Sequence, residues 1–74
     1  MNRVKEIRLR KGIGLVRLAA MAGVSHPYLY DLERGNRNAK PETWERIAKA
    51  LGVTVKEAKG ESEDDEDGSS VEAV

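Results

Sequence analysis

Glycines at positions 12, 23, 35 and 52 divide most of this chain into short pieces, and each piece carries apolar side chains at helical spacing. A glycine just past the last periodic residue is a common way to stop a helix. The pattern therefore predicts short helices joined by tight turns. Val4 and Ile7, continued by the aliphatic stem of Lys11, predict a first helix over residues 2–11. Leu15, Leu18, Ala19 and Ala22 predict a second helix of about two turns that stops at Gly23. Ser25 is placed to cap a third helix, and Pro27 falls in its first turn, where its missing N–H costs nothing. Leu29 and Leu32 form the apolar stripe of that helix, which Gly35 ends. After a polar loop over residues 35–40, Pro41 opens a fourth helix with Trp44, Ile47, Ala48 and Leu51 on one face. Gly52 closes it, and Thr54 caps a short last helix through Lys59 that carries Val55 and Ala58.

With 74 residues, 39% of them hydrophobic, the chain fills one compact core and leaves no large buried cavity. That size argues against an enzyme. No cysteine is present, so helix packing alone must hold the fold. The longest run without a polar side chain, Leu18 to Val24, is far short of the roughly 20 residues a membrane span needs. The amphipathic pattern continues past Gly23, which is unlike a signal peptide, and a cytoplasmic location is expected.

The formal net charge of zero conceals two opposed halves. All 13 Lys and Arg lie in residues 1–59, beside Glu6, Asp31, Glu33, Glu42, Glu45 and Glu57, an excess of seven positive charges. Residues 60–74 carry seven acidic residues and no basic one. The expected organisation is a domain over residues 1–59 and a disordered acidic tail over 60–74. A basic domain of this kind suits a polyanionic partner; the alternative is a solvated surface with a solubilising tail.

Residues 15–34 have the grammar of a helix-turn-helix. Ala19 is small where a third helix would cross the second, Gly23 permits the sharp turn, and Val24 plugs the angle between them. Leu18, Ala22, Leu29 and Leu32 face inward and fix the crossing. With Lys11-Gly12-Ile13, Tyr28-Leu29, Leu32-Glu33-Arg34-Gly35 and the run Ile47 to Val53, the chain resembles the Xre-type, lambda-repressor-like regulators over residues 3–58. The resemblance implies an all-α, five-helix DNA-binding domain. It further implies a transcriptional regulator, acting most often as a repressor, that puts its third helix in the major groove and frequently forms a homodimer.

Carried onto this sequence, the resemblance puts His26, Pro27, Tyr30 and Asp31 toward the bases, with Ser25 and Tyr28 nearer the sugar-phosphate edge. His26 has a donor for guanine or phosphate and Asp31 an acceptor for cytosine N4, whereas Pro27 offers only contact with a thymine methyl. Arg17, Arg34, Asn36, Arg37, Asn38 and Lys40 are placed for phosphate contacts. The resemblance also pairs Arg8 with Glu33, a clamp holding the third helix against the first. The family's usual Ser or Thr cap and following Gln at the second helix are here Gly14 and Leu15, so only backbone N–H groups remain for a phosphate there.

Leu9, Leu15, Val16 and Ala20 stand where the family is commonly polar, which makes a protein contact at the second helix the alternative function. Dimerisation has two candidate seams, this patch and the surface around Val53, Val55 and Ala58. Metal and catalytic readings find little support. His26 is the sole histidine, and the run Glu63 to Gly68 resembles a calcium loop but has Val74 at the twelfth position where a Glu is needed. No catalytic residue and no cofactor is expected.

Overall fold

The computed structural model describes residues 2–60, which form α1 (Val4–Arg10), α2 (Leu15–Ala22), α3 (His26–Glu33), α4 (Pro41–Leu51) and α5 (Val55–Lys59). Apart from Gly60, the acidic segment lies outside the described residues. None of these helices is long and apolar enough to cross a membrane.

One backbone device ends the first four helices. After α2, Gly23 adopts φ +75°, its N–H donates to Ala20 O at 3.2 Å, and the N–H of Val24 reaches back to Ala19 O at 3.0 Å. These two bonds occupy carbonyls that the helix itself leaves open. The same pair recurs at Gly12–Ile13, Gly35–Asn36 and Gly52–Val53. In three of the four cases the residue after the glycine (Ile13, Val24 or Val53) is aliphatic and packs on the core. Asn36 breaks the series and is exposed, so the chain leaves α3 along the surface instead of diving inward.

The core is built from Val4, Ile7, Leu18, Ala19, Ala22, Leu29, Leu32, Trp44, Ile47, Ala48, Leu51 and Ala58. α2 lies between α3 and α4, and α5 closes the structure against α4 and α1. Arg3 N–H donates to Ala58 O at 2.9 Å, joining the two ends of the domain. Thr54 and Glu57 form a reciprocal capping box on α5: Glu57 N–H donates to Thr54 Oγ1 at 3.1 Å, and Thr54 N–H to Glu57 Oε1 at 2.9 Å. The bonds from Thr54 hold the Glu57 carboxyl below its ordinary range. The cap's contribution is therefore present above the ordinary glutamate pKa and is lost as pH falls through the lowered value.

The first helix is shorter than the expected 2–11. Asn2 acts outside it: Oδ1 accepts from Val4 N–H at 3.1 Å and Nδ2 donates to Leu32 O at 2.8 Å, tying the start of the chain to α3. Lys11 sits in the turn outside α1 and is exposed, with its Nζ reaching toward Gly52 at the end of α4.

An added Cβ at Gly23 would meet nothing within 4 Å, so the cost of Gly23→Ala is the left-handed backbone alone. A loss of about 1–2 kcal/mol is expected in urea denaturation. Gly14, at φ −73° and ψ 159°, caps α2 without a side-chain bond and also has open space around it. Gly14→Ser is accordingly expected to stabilise the domain by about 0.5 kcal/mol in the same measurement.

Candidate nucleic-acid interface

Position along α3 sorts its side chains into two faces. Leu29, Leu32 and Glu33 are buried beneath the helix; His26, Pro27 and Tyr30 are exposed above it, with Tyr28 and Asp31 half-buried at the margins. Ser25 Oγ accepts from Tyr28 N–H at 3.2 Å, and proline occupies the first turn, so the exposed end of α3 is pinned before any ligand arrives.

The underside of α3 is fixed by a buried ion pair. Arg8 Nε donates to Glu33 Oε2 at 2.7 Å and Nη2 to Oε1 at 3.1 Å, a fork-on-carboxylate geometry that sets orientation as well as distance. Arg8 Nη1 also donates to Ile13 O at 3.0 Å. One guanidinium thus joins α1, the turn before α2, and α3. Arg8 is 7% exposed and Glu33 5%, so water does little to screen the pair.

Two arginines lean on tyrosines of α3, the exposed Tyr30 and the half-buried Tyr28. Arg34 lies 5.4 Å from the Tyr30 ring centroid and donates from Nη1 to the Tyr30 hydroxyl at 2.9 Å; Arg37 lies 5.0 Å from the Tyr28 ring. Such stacking holds each guanidinium at one edge of α3. Arg17 is exposed on α2, while Asn36, Arg37, Asn38 and Lys40 are exposed along the α3–α4 connection. Asn36, Arg37 and Asn38 line an open groove with Asn2, Trp44 and Lys59. Asn2 was not legible as a site residue, because a single asparagine near a chain start has no periodic signal. Lys5 was missed likewise. It lines a second groove with Arg8, Leu15, Tyr30, Glu33 and Arg34.

That position qualifies one expectation. Leu15 is half-buried, packed against the core and lining this groove, so it gives less to an outward apolar surface than its neighbours do. Leu9 (58% exposed), Val16 (62%) and Met21 (50%) are well exposed, as is Ala20. Met21 was not anticipated.

A family model described as Helix-turn-helix matches residues 4–57. The chain belongs to the helix-turn-helix family. Similar to it are the HTH-type transcriptional regulator DdrOP3 of Deinococcus deserti, 43% identical over 54 residues, and the immunity repressor protein of Bacillus phage phi105, 41% identical over 60. The aligned regions cover 73% and 81% of this chain but 42% of each relative, so the chain matches less than half of their length. The crystal structure of the restriction-modification controller protein C.AhdI from Aeromonas hydrophila superposes with a TM-score of 0.72 at 33% identity, covering 74% of this chain and 83% of that one. The match embraces the whole of the α2–turn–α3 unit and the Arg8 and Glu33 positions of this helix-turn-helix protein.

Glu33→Ala leaves the Arg8 guanidinium buried without its counter-charge, and a loss of about 3–5 kcal/mol is expected. Arg8→Met combined with Glu33→Leu removes both charges and is expected to lose much less. Thermal unfolding of the two variants checks the difference. Equal losses would assign the cost to packing instead of to the stranded charge.

Proposed function

We propose that this chain binds double-stranded DNA sequence-specifically as a transcriptional regulator, most naturally a repressor, with α3 in the major groove. The observation that carries the reading is the exposed face of α3, flanked by arginines and locked from below by the Arg8–Glu33 pair. The names of its relatives, a transcriptional regulator and an immunity repressor, support it. His26, Pro27, Tyr30 and Asp31 face the bases. Arg17, Ser25, Tyr28, Arg34, Asn36, Arg37, Asn38 and Lys40 hold the sugar-phosphate backbone on either side. The functional unit is residues 1–59, with 60–74 an appended acidic segment. A non-enzymatic cytoplasmic protein fits this role.

A domain of this size reaches few base pairs, so specificity favours a homodimer on a pseudo-palindrome with half-site centres about 34–36 Å apart. The second reading, a protein-interaction module, is favoured by the exposure of Leu9, Val16, Ala20 and Met21.

Selection from random duplexes tests the first reading, and failure to bind any duplex above background at low salt would support the second. His26→Ala and Asp31→Ala are expected to change the preferred sequence by about 1–3 kcal/mol at the bases they face. Arg37→Ala is expected to weaken binding to all sequences and to flatten the salt dependence by about one counterion. Sedimentation of the full chain with and without the selected duplex reads out the dimer.

A further inference from the structure

Tyr30 occupies the centre of the exposed face of α3, and Arg34 follows one turn later on the same stripe. A phenolic hydroxyl has one hydrogen to give and accepts on its oxygen. Arg34 Nη1 donates to that oxygen at 2.9 Å. Arginine has no acceptor, so the hydroxyl hydrogen cannot turn back toward it. Tyr30 is 48% exposed, and its hydrogen is left to an acceptor outside the protein. The charge of Arg34 also draws electron density from the oxygen, which strengthens the hydroxyl as a donor.

We infer that Arg34 is a positioning residue that fixes the hydrogen-bonding polarity of Tyr30, so that Tyr30 selects a base presenting an acceptor in the major groove. The inference rests on the DNA-binding reading above and sharpens it. Base edges in the major groove present acceptors at purine N7, guanine O6 and thymine O4, and donors at adenine N6 and cytosine N4. With its acceptor side occupied by Arg34, Tyr30 disfavours cytosine N4, the one donor not beside an acceptor on the same base. Asp31, next along α3, is an acceptor when ionised and selects the opposite polarity. Two neighbouring residues of opposite sense give the face a directional code, although neither makes a bidentate contact.

The hydrogen bond and the stack act separately, and this makes the proposal testable. Tyr30→Phe keeps a ring under Arg34 but removes the hydroxyl. Arg34→Met keeps the stem and releases the hydroxyl to accept as well as donate. All three proteins, as full chains, are compared by selection from random duplexes, with affinity measured on the wild-type consensus and on duplexes altered one base pair at a time. Replacing a purine facing Tyr30 by its 7-deaza analogue, or a facing thymine by cytosine, tests the acceptor directly.

Wild-type protein is expected to prefer an acceptor-bearing base at one position per half-site. Tyr30→Phe should lose roughly tenfold of discrimination at that position alone. Arg34→Met should weaken binding to every duplex through the lost charge, and should also admit cytosine at the position that Tyr30 reads. A consensus unchanged in Tyr30→Phe would overturn the assignment of Tyr30 while leaving DNA binding intact. Loss of discrimination in Tyr30→Phe with no broadening in Arg34→Met would overturn the positioning role. Absence of any wild-type consensus would instead bring down the DNA-binding reading itself. Both residues are exposed, so unchanged thermal unfolding of the variants ensures that the binding differences report the interface.

Discussion

Arg8 places a permanent positive charge where water scarcely reaches, and an isolated charge in such a place costs several kcal/mol. Only a partner that meets both edges of the guanidinium makes it tolerable. Glu33 does so through two hydrogen bonds, and Ile13 O takes a further N–H. Because the three partners lie on α1, on the turn before α2 and on α3, the electrostatic requirement is also a geometric one. If α3 rotated or slid, the carboxylate would leave the fork and both charges would be stranded. The orientation of the exposed face of α3 therefore follows from an interaction on its hidden side.

The turns divide the labour with that clamp. Wherever the residue after a terminating glycine is aliphatic, it packs against the core and anchors the connection to the next helix. At Asn36 this anchor is missing, and a polar connection runs over the surface from α3 to α4. Burial of Leu29 and Leu32 and the bond from Asn2 to Leu32 O hold the body of α3, while its C-terminal exit is left to present Asn36, Arg37 and Asn38. A protein that grips phosphates needs a rigid helix and an accessible donor-rich flank together. The same departure from the turn pattern provides the second without loosening the first.

The exposed aliphatic residues have a different standing. Val16, Ala20 and Met21 are on α2, whose inner face is committed to α3 and α4. Their exposure is a property of the outer face of a helix between two partners, and the folded domain does not need it. That is why this surface supports a second reading of function and the underside of α2 does not.

The five helices and their stops were legible in the sequence, since apolar spacing and terminating glycines are local properties that reappear in the bonds at Gly12, Gly23, Gly35 and Gly52. Helix-turn-helix membership was legible for the same reason: small residues, a glycine and aliphatics must stand at fixed offsets for two helices to cross closely. The place of Leu15 in a groove beside Lys5 and Arg8 was not, because spacing along α2 could not say where α1 would lie. Neither were the roles of Asn2 and Lys5, nor the approach of Arg34 to Tyr30 and of Arg37 to Tyr28, which depend on rotamers and on neighbours brought in by the fold. Sequence by itself determined which segments are helical and which faces are apolar, because periodicity is written within one turn of chain. Tertiary structure decided which polar side chains meet, because a hydrogen bond is made or lost over a few tenths of an ångström, and residues 25 positions apart are brought to that distance only by packing.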